Sequence, residues 1–166
     1  MPLRFEDYLG RYGGALLRYA YVLTGAQADA EDLVQTALVR AYPRWRRISR
    51  MAAPHAYVRR IVTRCFIDWG RRPGRRERPT ADIPERVDPC DVASQVAELD
   101  AIIRALRCLS PRQRAVLSLR HLLGLPDEVI ARELGCSAST VRSHASRGLR
   151  RLQDTLSQPD LEVHRD

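Results

Sequence analysis

The sequence predicts an all-α protein of two small helical domains joined by a linker, and three observations carry that prediction. Apolar residues recur at helical spacing along almost the whole chain. No alternating apolar and polar stretch of strand length occurs. The helical period vanishes in one place, between Pro73 and Asp91. There Pro73, Pro79, Pro84 and Pro89 break it, and the charge turns acidic at Asp82, Glu85, Asp88 and Asp91. The expected organisation is a first domain over 1–76, a linker over 77–91, a second domain over 92–156 and a C-terminal tail over 157–166. In a chain of 166 residues, halves of this size have thin cores and lean on partners.

The first helix runs from Phe5 to Leu23 with Leu9, Tyr12, Leu16, Ala20 and Leu23 inward, and Thr24-Gly25 ends it. A second helix is expected to begin near Asp29, which is placed to cap the amides around Asp32. Its apolar face is Ala30, Leu33, Val34, Ala37, Leu38, Ala41 and Trp45, and Pro43 marks its exit. Arg46 to Ala53 reads as a basic loop. Pro54 then opens a third helix with Tyr57, Val58, Ile61, Val62, Cys65 and Trp69 on one face. After the linker, a fourth helix turns Val92, Val96, Leu99, Ile102, Ile103, Leu106 and Leu109 inward. Ser110-Pro111-Arg112-Gln113 is a capping box that starts a fifth, with Ala115, Val116, Leu119 and Leu122 inward, closed by Gly124. A short helix spans about Pro126 to Leu134 and stops at Gly135. Ser137 or Ser139 caps a final helix with Val141, Ala145, Leu149 and Leu152 inward.

Composition narrows the function. The chain carries 28 Lys plus Arg against 20 Asp plus Glu, a formal net charge of +8, and every one of those cations is Arg. Arginine binds phosphate bidentately and keeps its charge when partly desolvated. Hydrophobic residues at 45% and charged residues at 29% fit a globular chain. No apolar run reaches the length of about 20 residues that crosses a membrane, and the start has no signal-peptide stretch, so a cytoplasmic location is expected. Cys90, Cys108, Cys136 and His121 have no zinc-ligand spacing, Cys65 lies on an apolar helix face, and no phosphate-cradling glycine loop or nucleophile with a base appears. The expectation is a protein with no catalytic site, metal or cofactor.

The strongest local signal is a short helix, a turn at Gly135-Cys136 and a final helix, which is helix-turn-helix order. The outer face of that final helix is Ser139, Thr140, Arg142, Ser143, Ser146, Arg147 and Arg150, and no acid lies between Ser137 and Gln153. Hydroxyls reach phosphates and arginines read guanine edges, so this face suits a DNA major groove. A plain basic helix on a bundle surface is the other reading. A second cluster, Arg59, Arg60, Arg64, Arg71 and Arg72, lies on and after the third helix beside Tyr57, Phe66 and Trp69. Arginines there neutralise phosphate and aromatics stack on unpaired bases, unless Phe66 and Trp69 belong to the core, as their spacing indicates.

These segments converge on a family. DAEDLVQTALVRAY (29–42) resembles the region-two signature of bacterial sigma factors, and AYVRRIVTRCFIDWGRR (56–72) resembles its promoter-melting part. LSPRQRAVLSLRHLLGL (109–125) and IARELGCSASTVRSHASRGLRRL (130–152) resemble region four. Both domains in this order, with a short linker, are similar to the extracytoplasmic-function sigma factors. The resemblance implies a protein that binds core RNA polymerase, directs it to promoters and promotes initiation. It implies that Asp29, Asp32, Leu33 and Gln35 meet the β′ clamp helices, and that the β flap is a further polymerase contact. Arg59, Arg60, Thr63, Arg64, Arg71 and Arg72 would engage the minus-ten element. The final helix would read the minus-thirty-five element, and the linker would either enter the polymerase cleft or serve as a solvated tether. An anti-sigma factor is the expected regulator. Two departures stand out: Pro126 replaces a usual Ser or Thr cap, and His144 stands where Arg or Lys is common, making one phosphate contact weaker or pH-dependent. The rival reading is a stand-alone helix-turn-helix regulator that binds DNA as a dimer.

Overall fold

The computed structural model describes residues 3–71 and 100–157. The linker at 77–91, Arg72, Cys90, residues 92–99 and the tail beyond Ser157 lie outside the described residues. The chain divides into two compact units, Met1–Asp82 and Ile83–Asp166.

In the first unit α1 is Phe5–Thr24, α2 is Gln27–Ala41, α3 is the single turn Trp45–Ile48, and α4 is Pro54–Trp69. A 3-10 turn, Tyr42–Arg44, joins α2 to α3. Gly25 adopts a left-handed φ of 74° and its N–H donates to the Tyr21 carbonyl at 2.7 Å, so α1 ends where the glycine was read. This tight turn leaves only Ala26 as the cap of α2, so the helix starts at Gln27 and Asp29 lies inside the first turn rather than capping it. The basic stretch after α2 is likewise not all loop, because burial of Trp45 and Ile48 winds its first residues into α3.

α1, α2 and α4 pack on one another. Leu16, Ala20 and Leu23 meet Ala30, Leu33 and Ala37, with Val58, Val62 and Cys65 from α4, all at most 1% exposed. Phe66 and Trp69 are buried with them, so these two aromatics are core. One polar pair crosses this interior. Tyr19 Oη and Thr63 Oγ1 are 2.9 Å apart, and Thr63 Oγ1 donates to the Arg59 carbonyl at 3.0 Å.

In the second unit residues 100–106 are helical, forming the described part of α5. α6 is Pro111–Leu117, α7 is Asp127–Leu134 and α8 is Ala138–Ser157. The capping box is present in full: the Gln113 N–H donates to Ser110 Oγ at 3.3 Å, and the Ser110 N–H donates to Gln113 Oε1 at 3.1 Å. α6 runs on into a π turn, Ser118–Leu122. The wider turn shifts the helical phase, so Leu119 stays buried while Leu122, expected inward, is 52% exposed. Ile102 was also expected inward and is 56% exposed, since Ile103 takes the buried line and neighbouring helical residues point about 100° apart. Pro126 sits at the N-cap of α7 without a side-chain bond. In its place Arg120 clamps the entry to α7, with Nε donating to Asp127 Oδ1 at 3.0 Å and Nη2 to Oδ2 at 2.6 Å. Of the two candidate caps of α8, Ser137 takes the role, accepting from the Thr140 N–H at 3.1 Å.

The inner line of α8 is Val141, Ala145 and Gly148, and Leu149, expected inward, is 41% exposed. The reason is close approach. A Cβ on Gly148 would stand 3.0 Å from Leu117 Cδ1 and 3.5 Å from Gln113 Cβ, so a side chain there would require the Leu117 side chain to give by a few tenths of an ångström, an adjustment that glycine spares.

The Thr63 arrangement generates a stability prediction. Thr63→Val removes the buried hydroxyl that Tyr19 Oη meets and that donates to the Arg59 carbonyl, and should destabilise the fold by about 0.5–1.5 kcal/mol in urea unfolding. Unchanged stability would mean that the Tyr19–Thr63 contact contributes nothing to the fold.

Candidate nucleic-acid and partner surfaces

The burial of Val141, Ala145 and Gly148 decides what α8 presents outward. Arg142, Ser143, Ser146, Arg147 and Arg150 are exposed together, with Ser139 exposed and Thr140 half-buried at the start of the helix. Their hydroxyls differ in availability. Ser139 Oγ and Thr140 Oγ1 each lie 2.8 Å from Ser137 Oγ, inside the cap, whereas Ser143 and Ser146 stand on the open face. Arg147 Nε donates to the Ser143 carbonyl at 3.2 Å, which lays its guanidinium back along the helix. The arginines at this face form no ion pair among the described residues that would neutralise them, and the next acid along α8 is Asp154.

His144 flanks the same face, half-buried. Burial holds its pKa below the usual histidine value, and the charges of Arg147 and Arg112 push the same way. The ring is therefore neutral at pH 7, and His144 supplies no standing positive charge where a basic residue was the family norm.

In the first unit α4 carries Arg59 and Arg60, both half-buried, and the exposed Arg64, with Arg71 exposed beyond its end. Thr63 was grouped with them, but it is fully buried and its hydroxyl is engaged by Tyr19 and the Arg59 carbonyl, so it cannot touch DNA. At the start of α4, His55 Nδ1 lies 3.2 Å from Tyr8 Oη and its ring stacks on Tyr12 with centroids 4.6 Å apart. Burial lowers the His55 pKa, and Arg59 lowers it further. Burial raises the Cys65 thiol pKa, which keeps it protonated and inert.

The α2 surface needs a second correction. Asp32 and Gln35 are exposed and Asp29 is half-buried, but Leu33 is fully buried in the core and presents nothing to a partner. The apolar surface lies one strip over. Gln35, Leu38, Val39 and Tyr42 follow one another at i, i+3, i+4 and i+7, with Val39 67% and Tyr42 61% exposed. They line a groove of about 600 Å³ completed by Phe5, Gly13 and Leu17 of α1, with Glu31 also lining it. Phe5 is fixed there by edge-on contacts with Tyr42 and Trp45 at 5.0 and 5.1 Å. The signal for this strip was present in the sequence as Val39 and Tyr42, large apolar residues off the buried face. Among the described residues no group of three or more possible metal ligands exists, and no helix is long and apolar enough to cross a membrane.

Comparison with known proteins matches both halves of the chain. Residues 9–76 match the family model described as Sigma-70 region 2, and residues 99–152 match that of Sigma-70, region 4. The RNA polymerase sigma-E factor of Streptomyces coelicolor is 40% identical over 162 residues, covering 97% of this chain and 90% of that protein. The ECF RNA polymerase sigma factor SigL of Mycobacterium tuberculosis is 32% identical over 152 residues, covering 89% of this chain and 85% of its own length. Among solved structures, sigma factor RpoE in its complex with the anti-sigma factor NepR, from Bartonella quintana, superposes with a TM-score of 0.69 at 27% identity, covering 94% of this chain and 98% of that one.

The two depressed histidines predict an acid limit to stability. Folding favours neutral His55 and His144, whereas in the unfolded chain both titrate near the ordinary value of about 6.5. Their contribution is complete above that pH and is lost as pH falls below it toward the folded-state values. Thermal unfolding should therefore shift to lower temperature between about pH 7 and about pH 5. The double variant His55→Gln/His144→Gln should show a flatter profile over that range, and an identical profile would remove these histidines as the cause.

Proposed function

The chain belongs to the sigma-70 family of RNA polymerase sigma factors, in its extracytoplasmic-function group, and from that premise we propose how its surfaces divide the work of initiation. The first unit would hold core polymerase and the opened minus-ten element, and the second would read the minus-thirty-five element. The proposed boundaries are 1–76 for the first domain and 92–156 for the second, with 77–91 between them as the segment that enters the polymerase cleft. The chain would act in the cytoplasm without a catalytic site of its own.

One observation carries this reading: α8 exposes an acid-free face of Arg142, Ser143, Ser146, Arg147 and Arg150 opposite a buried seam, in helix-turn-helix order after α7. Such a helix enters a major groove by its N-terminal half. Arg142 and Arg147 then meet base edges, while Arg150 and Arg151 lie where the helix meets backbone phosphate. Arg59, Arg60, Arg64 and Arg71 would take the minus-ten strand. Matches to both sigma regions favour this over a stand-alone dimeric regulator.

For the polymerase contact, the groove bounded by Gln35, Leu38, Val39 and Tyr42, with Asp32 exposed on the same helix, suits the β′ clamp helices. An apolar groove with acids and amides around it takes an amphipathic helical partner with a basic edge. Gly13 supports this. A Cβ there meets nothing within 4 Å, so the packing of this chain does not call for glycine, yet glycine in a helix interior costs about 1 kcal/mol relative to alanine. A partner lying close over α1 accounts for it. The β flap is the proposed contact of the second unit, and an anti-sigma factor, as in the RpoE–NepR complex, the proposed regulator.

Two experiments test the assignment. Asp32→Arg and, separately, Gly13→Leu should leave the circular dichroism melt close to wild type and weaken binding to purified core polymerase by about tenfold or more. Core binding at wild-type strength in both variants would remove the groove from the interface. In holoenzyme binding to single-base promoter variants, Arg142→Ala should cost about 1–3 kcal/mol and relax preference at particular bases. Arg151→Ala should weaken all sequences alike and lower the salt slope by about one charge. Uniform loss from both would make α8 an electrostatic anchor only.

A further inference from the structure

Trp45 stands on α3, is 9% exposed and does not itself line the groove of the first unit. Its indole has a single polar atom, and burial of that atom calls for a partner. The partner comes from far along the chain: Nε1 donates to the Leu3 carbonyl at 2.9 Å. Leu3 lies just before α1. The N-cap of that helix, Arg4, makes no side-chain cap bond, and the Arg4 carbonyl takes the Tyr8 N–H at 3.0 Å. The entry of α1 is therefore tied from α3 and not by a cap of its own. The Trp45 ring also meets Tyr8, with centroids 4.8 Å apart, and Phe5, edge-on at 5.1 Å. Phe5 meets Tyr42 edge-on at 5.0 Å, and both of these rings line the groove. Tyr42 is 61% exposed, with the Phe5 ring against it. One buried side chain thus holds the chain on which the aromatic wall of the groove is built.

We propose that Trp45 is a positioning residue for the polymerase contact: by tying Leu3 and packing on Phe5 it sets the Phe5–Tyr42 wall against which the partner seats. The inference rests on the reading of the groove as the contact with the β′ clamp helices. That occupant is argued from the exposed Glu31, Asp32 and Gln35 beside an apolar floor, which suit a helix with a basic edge. A wall serves binding best when it stands before the partner arrives, because each side chain that must be immobilised on association costs affinity. Rings in edge-to-face contact at 5.0 and 5.1 Å are already held. An aliphatic or phenyl side chain at position 45 fills core space but has no donor for the Leu3 carbonyl. Residues 3–5 then lose their tie, and Phe5 and Tyr42 must be ordered by the partner instead. Trp45 touches no partner in this account and acts through Phe5.

The test measures binding of the full chain to immobilised, purified core RNA polymerase by surface plasmon resonance, below the melting transition of every variant. The variants are Trp45→Phe, Phe5→Ala, the double variant Trp45→Phe/Phe5→Ala, and Gly13→Leu as a block of the groove itself. Trp45→Phe should bind about three- to tenfold more weakly, the scale of one hydrogen bond. Phe5→Ala should lose at least as much. The double variant should lose no more than Phe5→Ala alone, because the two residues act in series; a Trp45 with a merely structural role would multiply its loss onto that of Phe5. Where Trp45→Phe does not fold, the chain carrying benzothienylalanine at position 45, an isostere of tryptophan without the N–H, takes its place with the same expected loss. Wild-type affinity in the donor-less chain, or losses that multiply in the double variant, overturns the positioning role even while Gly13→Leu still weakens binding and so upholds the groove. Wild-type affinity in Gly13→Leu and Asp32→Arg overturns the groove reading and the inference together.

Discussion

The approach of α8 to α6 at Gly148 governs the second unit. With Leu117 Cδ1 3.0 Å from the place a Cβ would occupy, Gly148 lets α8 meet α6 without displacing Leu117, while Val141 and Ala145 fill the rest of the seam. Once Gly148 is inside, Val141 and Ala145 must be inside with it, and Leu149 must turn out. The same rotation puts Arg142, Ser143, Ser146 and Arg147 on the outer surface, with His144 half-buried beside them. The arrangement of a basic, acid-free face is therefore a consequence of packing. The π turn and the Arg120–Asp127 clamp then hold α7, which also packs on α8, without the side-chain cap that Pro126 lacks.

Charge in this chain is used in two ways that burial separates. Arginines on the open face of α8 stand in water and suit phosphate. Others are drawn into the structure. Burial pulls the Arg114 pKa down to about 10, and its guanidinium donates to the carbonyls that end α5. A guanidinium still stays protonated at neutral pH after such a shift, which an ammonium with its strong hydration does less readily. The all-arginine composition thus allows cations to serve as caps in thin cores as well as on surfaces that meet nucleic acid.

Most of the helical order was legible because period, capping residues and glycine stops are local properties. Gly25, Gly124 and Gly135 all take positive φ, and the Ser110 box forms as its spacing requires. What escaped was tertiary. Leu33 and Thr63 were grouped with functional neighbours by motif, yet each faces the core, because one helix turn holds both a binding residue and a packing residue. Leu122 and Leu149 followed the apolar period and still turned out, one through the extra width of a π turn, the other through a glycine contact with a distant helix. Val39 and Tyr42 were visible as apolar residues out of phase, but the groove they line needs α1 beside α2, and only the fold supplies that. The α8 face was the most legible surface, since the absence of acids over so many residues is a property of sequence alone.

The central claim is that one surface of this chain holds polymerase while another reads DNA, and footprinting of the reconstituted enzyme tests it most directly. Genomic fragments selected by the full chain together with core RNA polymerase are footprinted with the chain alone, with core alone and with both. The account predicts two protected blocks upstream of the start site only when both are present, with the upstream block lost in Arg142→Ala and the complex lost in Asp32→Arg. A dimeric footprint over a palindrome by the chain alone, unchanged by core polymerase, would contradict it.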